Sequence, residues 1–219
     1  KDINANNSKA MLDTFTEQLA IAGGTIIQRR LEFLHIFLPE LQQHYESFGM
    51  KKELPSLSPT DHILRKVRIE YISKGISYPQ HCTAKEYSHI LTEKFVQVRM
   101  YDEKVKYTSV GPHCDDFRFL LDENDAKNFA SQGQIRLLIL MLKLALVSLV
   151  KKQMKVSPIL LLDDLASELD PLVQKYLFES LSYLQSQVFL STTAIDSIPL
   201  LQSQKYQVYL VVNGQIFTP

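Results

Sequence analysis

Two adjacent aspartates, Asp163 and Asp164, follow four consecutive aliphatic residues, Ile159 to Leu162, in the segment PILLLDDLASELD (Pro158 to Asp170). An unbroken apolar run after a proline is the pattern of a short strand buried on both faces, as in the centre of a parallel sheet. In open α/β sheets ligands collect at the carboxyl ends of strands, where these two carboxylates fall. Neighbouring carboxylates repel, and holding them together requires a cation or protons. A divalent metal with phosphate ligands would supply the first. The same residues could equally open a turn or cap the next helix, as Asp often does.

A second group, Ser131-Gln132-Gly133-Gln134, precedes a strongly apolar stretch that runs to about Lys152. A hydroxyl and a glycine that lets backbone approach, both at a helix N-terminus, make an anion-binding point, because unpaired amides and the positive end of the dipole face outward together. Serine there is also an ordinary cap. The order adds weight, since this group lies upstream of the strand ending in Asp-Asp, which leads into Ser167-Glu168-Leu169-Asp170.

The elements that must position these groups can be read from periodicity. Apolar residues recur at helical spacing from Met11 to Leu41. Gly23-Gly24 and Pro39 interrupt them, which predicts two or three helices, packed on one another or on something further. Leu54 to Asp61, rich in Pro and Ser, reads as a loop. Val67, Ile69 and Tyr71 alternate as a half-exposed strand, and Thr83 to about Lys106 returns to a helical pattern. Phe117, Phe119 and Leu121 alternate again, and a loop rich in Asp and Asn follows at Asp122 to Asp125. After the Asp-Asp strand come a helix from about Pro171 to Gln185, a strand at Val188 to Leu190, and a strand at Val208 to Val212 closed by Asn213-Gly214. Strands alternating with helices argue for an α/β layer around a largely parallel sheet.

Composition bounds the function. The 219 residues balance 24 Lys and Arg against 24 Asp and Glu, so the chain has no global basic field of the kind that marks many nucleic-acid binders. Arg29, Arg30, Arg65, Lys66 and Arg68 could still form a local patch, or lie singly on solvated faces. Cys82 and Cys114 form no zinc spacing and point to a reducing compartment. The apolar stretch from Leu137 to Val150 is interrupted by Lys143 and falls short of the roughly 20 residues that span a bilayer. It reads as a core helix, and no membrane association is expected. The chain opens on Lys1 without a signal core. The expectation is that it begins within a longer protein.

Four segments carry a resemblance. TEQLAIAGGTIIQRRLEFL (Thr16 to Leu34), TSVGPHCDDFRFLL (Thr108 to Leu121), FASQGQIR (Phe129 to Arg136) and PILLLDDLASELD resemble, in this order, the C-terminal portion of the RecF family, SMC-like ATPases of the ABC type. The implied fold is part of an ABC-type (P-loop NTPase) head with a helical arm: residues 1–107 the arm with a short strand region, residues 108–219 the C-terminal part of the head. The resemblance implies ATP and Mg²⁺ as cofactors. Asp163 would be the Walker B carboxylate that holds the metal through its water shell, and Asp164 would orient and deprotonate the attacking water. Ser131, Gln132, Gly133 and Gln134 would be the signature that reaches the nucleotide of the opposite subunit. Ser167 and Asp170 would belong to the D-loop at that interface, and Thr193 would stand where many such ATPases place a histidine on the γ-phosphate. Cys114 replaces the arginine usual in the family's GPHRDD segment.

A cytoplasmic protein of DNA replication and recombinational repair is implied, acting at gaps, with links to the SOS response. Its implied partners are DNA, recombination mediator proteins and a second copy of itself. Another SMC-like or ABC-type ATPase, or an ATPase-like interaction module without catalysis, are the alternatives. None of the seven glycines begins or ends a GxxxxGK[ST] loop. In the resembled family that loop lies N-terminal to the arm, so this stretch alone is expected to bind ATP poorly and hydrolyse it negligibly.

Overall fold

The computed structural model describes residues 2–50, 66–163, 171–184, 186–193 and 206–218. They form two compact units, Lys1–Ala130 and Ser131–Pro219.

In the first unit, helix α1 (Asp2–Met50) is a single element of 49 residues that contains Pro39. The expected breaks at the glycine pair and the proline do not occur, and each has a physical reason. A Cβ on Gly24 would stand 2.3 Å from the carbonyl oxygen of Ala84 and 2.7 Å from the amide nitrogen of Ser88. The glycines are a notch into which helix α2 (Ala84–Val105) fits. Pro39 costs roughly 3 kcal/mol in a helix interior. Leu34, Phe37, Leu41, Tyr45 and Phe48 are buried around it, and each large apolar side chain returns about 1.5–3 kcal/mol.

The contacts Asp13 with Arg99, Gly23 with Leu91, Gly24 with Ala84 and Ser88, and His35 with His81 run in opposite senses along the chain, so α1 and α2 are antiparallel. Between them lies a core of Ala20, Ile27, Tyr87, Leu91, Phe95 and Val110. Helix α2 has the boundaries its pattern predicted. Thr83 accepts from the Glu86 amide while the Glu86 carboxylate takes the Thr83 amide, and Lys106 closes the helix in a left-handed conformation. A second stripe on α1, Leu12, Phe15, Leu19, Ile26, Phe33 and Ile36, keeps a spacing of three, four or seven residues and stays exposed.

Strand β1 (Val67–Ile72) pairs antiparallel with β2 (Asp116–Leu121) in the register Val67 to Leu121 through Ile72 to Asp116. The predicted loop at Asp122 to Asp125 is partly strand: β3 (Asn124–Asp125) returns along β2. Asp122 and Glu123 both have positive φ, 48° and 68°, the geometry of a tight hairpin turn. Glu123 is anchored there by Arg68 at 2.7 Å and Lys66 at 3.2 Å. A short helix α3 (Ala126–Phe129), capped by Asp125, ends the unit.

In the second unit, helix α4 (Gln132–Met154) extends beyond the predicted apolar stretch and, by length and composition alone, could cross a membrane. Its Leu138, Leu140, Met141, Leu144 and Ala145 are buried, as in a core helix, and it packs on helix α5 (Pro171–Leu184). Strand β4 (Leu160–Leu162) pairs in parallel with β5 (Val188–Leu190), α5 lying between them in sequence. Strands β6 (Leu210–Val212) and β7 (Gln215–Phe217) form a hairpin through Asn213-Gly214, both at positive φ, so the turn predicted at the end of a single strand joins two.

Two expectations are corrected. Among the described residues parallel pairing is confined to β4 and β5: β2–β3 and β6–β7 are joined by two-residue turns, which only antiparallel strands allow, and β1 pairs antiparallel with β2 although α2 lies between them in sequence. The Asp-Asp strand is also not buried on both faces: alternation turns Leu161 outward, 77 % exposed, beside the exposed Phe189 opposite it in register.

Candidate functional site

The site builds from the ends of β4 and β5. Their register aligns Leu162 with Leu190, and the ladder continues one step, with the Ser191 amide donating to the Leu162 carbonyl at 2.9 Å. Asp163 and Ser191 therefore leave the sheet at the same level. The Ser191 hydroxyl donates to Asp163 Oδ1. The carboxylate is exposed, and its Oδ2 makes no hydrogen bond or ion pair among the described residues. Thr193 lies two residues further along, also exposed. The structure thus brings Asp163, Ser191 and Thr193 to the carboxyl ends of two parallel strands. Asp164, Ser167 and Asp170 lie outside the described residues.

The SQGQ group occupies the start of α4. Ser131 is its N-cap: Oγ accepts from the Gln134 amide at 3.2 Å, and Gln134 Oε1 accepts from the Ser131 amide at 2.9 Å. This reciprocal box satisfies two amides that a helix start leaves orphaned. The Ser131 hydroxyl still has its own proton to donate. A Cβ on Gly133 would meet nothing nearer than Ser131 Oγ at 4.0 Å, so nothing in the surrounding fold demands a glycine there. Gln132 and Gly133 are exposed. Among the described residues this group shares no hydrogen bond with Asp163.

In the first unit, the GPHCDD loop forms a polar knot that sequence reasoning did not assemble. Arg30 of α1 donates to the Pro112 carbonyl at 2.6 Å and to the Tyr71 hydroxyl at 3.2 Å. Tyr71 in turn donates to Asp115 Oδ2 at 2.6 Å, while the buried Asp115 Oδ1 has no partner among the described residues. Burial first, and the Asp115 carboxylate second, push the Tyr71 hydroxyl well above the ordinary tyrosine range. Gly111, at φ 121°, makes the turn that brings the loop back over Phe95. Cys114 lies against Thr108, with Sγ 3.9 Å from its carbonyl oxygen. The candidate basic patch is spoken for. Arg29 pairs with Glu32, Arg30 belongs to this knot, Lys66 and Arg68 hold Glu123, and Arg65 lies outside the described residues.

The residue the sequence reading missed at the strand ends is Ser191. Its signal was the position directly after the last apolar residue of a strand, and recognising it required knowing that this strand is the neighbour of the one bearing Asp163.

Two parallel strands linked through a helix, a carboxylate at their carboxyl ends and a serine-capped apolar helix in one unit, with an antiparallel helical pair in the other, match part of an ABC-type ATPase head with a helical arm. Within that class the chain is RecF-like along nearly its whole length. It is 31 % identical over 211 residues, 96 % of the chain, to the DNA replication and repair protein RecF of Geotalea uraniireducens. It is 37 % identical over 198 residues, 90 % of the chain, to that of Streptococcus uberis. A solved structure of the recombination mediator protein RecF with ATPrS, described as part of the RecFOR pathway, superposes with a TM-score of 0.71 at 26 % identity over 96 % of the chain and 51 % of its own length. The corresponding RecF-ATP structure gives the same TM-score at 25 % identity. The chain spans about half the length of the curated relatives it matches, 54 % and 50 % for the two named. No protein-family model matches it.

Proposed function

We propose that the chain is the C-terminal portion of a RecF-type ATPase that binds DNA and acts in recombinational repair and replication-gap processing. ATP-driven pairing of two heads engages DNA, and hydrolysis releases it. Residues 1–107 act as the arm and residues 108–219 as the head segment, working in the cytoplasm with recombination mediator proteins. The observation that carries this reading is Asp163, exposed at the carboxyl end of β4 with one oxygen held by the Ser191 hydroxyl.

The donor set fits Mg²⁺. Among the described residues no three acidic, histidine or cysteine side chains gather to cage a cation. Mg²⁺ keeps several waters and is usually bound by one or two carboxylates plus substrate phosphates. When bound, the metal supplies charge neutralisation at the phosphates of ATP. Asp163 would hold it through its water shell, and Asp164 would orient and deprotonate the attacking water. The Ser131 hydroxyl would donate a hydrogen bond to the nucleotide of the opposite subunit while its oxygen still caps α4, and Gly133 leaves room for that close approach. Gln132 and Gln134 complete this signature surface. Ser167 and Asp170 would belong to the loop at that interface, and Thr193 would supply a hydroxyl donor for the γ-phosphate. Two-fold pairing then makes two equivalent sites.

The test uses the full-length protein with Mg²⁺ and ATP, read by light scattering after size exclusion. Asp164→Asn should accumulate a long-lived ATP-bound dimer, and Ser131→Arg should abolish the dimer while monomers still bind ATP. Unchanged turnover in the first variant, or lost monomer binding in the second, would refute the assigned roles.

A further inference from the structure

We infer that Ser191 is a positioning residue for the metal-holding carboxylate. The inference rests on the proposed role of Asp163 and deepens it. An exposed aspartate at a strand end has free rotation about both side-chain torsions, and fixing it costs side-chain entropy each time a ligand binds. Here the entropy is already spent. The parallel register places Ser191 directly beside Asp163, a backbone hydrogen bond of 2.9 Å from Ser191 to Leu162 locks the two strands at that level, and the Ser191 hydroxyl donates to Oδ1. One carboxylate oxygen is thereby committed to the protein, which leaves Oδ2 as the oxygen for a cation's water shell.

Stability does not account for the arrangement. Both side chains are exposed, and a hydrogen bond between exposed groups contributes little net stability, because water replaces it when it breaks. Pre-orientation is what it adds. Partners of this kind, behind the residue that faces the metal, typically change metal affinity or activity by about 10- to 100-fold when removed.

The closest comparison is Ser191→Thr against Ser191→Val in the full-length protein. Thr and Val share shape and strand preference and differ in the hydroxyl. Mn²⁺ serves as a spectroscopic probe, its binding in the presence of a non-hydrolysable ATP analogue followed by electron paramagnetic resonance, with analogue affinity measured separately without metal. Ser191→Thr should keep Mn²⁺ affinity near that of the parent protein. Ser191→Val should weaken it by about 10-fold or more, with metal-free analogue affinity and melting temperature matching those of Ser191→Thr. Equal Mn²⁺ affinity in the two variants overturns the inference. Asp163→Asn separates the two layers: if it leaves Mn²⁺ binding intact, the metal role of Asp163 fails and the inference falls with it. If it abolishes binding while the Thr and Val variants agree, only the role of Ser191 is refuted.

Discussion

Replacing Gly24 by alanine should destabilise the first unit, against what helix propensity alone predicts. In an isolated helix the change would stabilise by about 1 kcal/mol. On α1 the added methyl would lie 2.3 Å from the Ala84 carbonyl oxygen, 2.7 Å from the Ser88 nitrogen and 3.1 Å from its Cα, all backbone atoms that cannot rotate away. Relief needs about 1 Å of separation between α1 and α2, and that movement opens the contacts of Ala20, Ile27 and Leu91, each fully buried. Overpacking of a close-packed core costs about 1–3 kcal/mol, sometimes more. The clash here is with backbone, which puts the cost at the upper end, so the net after the propensity gain is about 1–2 kcal/mol. For a chain of this size that is a fall in melting temperature of roughly 2–8 °C. Thermal unfolding followed by far-ultraviolet circular dichroism measures it. Gly133→Ala is the control, because its methyl meets nothing within 4 Å except Ser131 Oγ, and it should be neutral or slightly stabilising. A Gly24→Ala protein as stable as the parent would refute the notch between the helices.

Two further expectations follow from the polar knot and its neighbours. Tyr71→Phe removes the donor to Asp115, whose other oxygen already lacks a partner, and should cost about 1–3 kcal/mol in urea unfolding; no change would mean that water serves Asp115 instead. Burial pushes the Tyr78 hydroxyl up to about 12 and raises Tyr45 and Tyr71 further. The folded chain thus prefers the neutral phenols, and this contribution to stability is complete below the unfolded tyrosine pKa of about 10 and is lost as pH rises through 12. Absorbance titration at alkaline pH should show the exposed tyrosines ionising first and the buried group ionising with unfolding, whereas a single transition near pH 10 would contradict their burial.

The elements legible in the sequence were those set by local chemistry. Helical periodicity from Thr83 to about Lys106 announced α2, and a serine cap before a strongly apolar stretch announced α4; the structure closes both starts with boxes between residues three apart. Alternation announced β1 and β2, and four aliphatics before Asp163 announced β4. The errors arose where a residue's meaning depends on what it touches. Gly23-Gly24 reads as a helix break to any local rule, and only the approach of Ala84 and Ser88 turns it into a packing surface. Pro39 reads as a stop, and the buried residues on either side outweigh its cost.

The candidate site divides the same way. The types and order of Ser131, Gly133, Asp163, Asp164, Ser167 and Asp170 are one-dimensional facts, and the sequence by itself determined them along with the kind of chemistry they suit. Only the tertiary structure decided that Ser191, 28 residues from Asp163, is its hydrogen-bond partner, and that Arg30 belongs to the loop of Pro112 and Asp115 rather than to a basic surface. The reason is physical. Capping and periodicity act over one turn or one pleat, whereas strand register and helix crossing bring together side chains whose separation along the chain carries no trace of their contact.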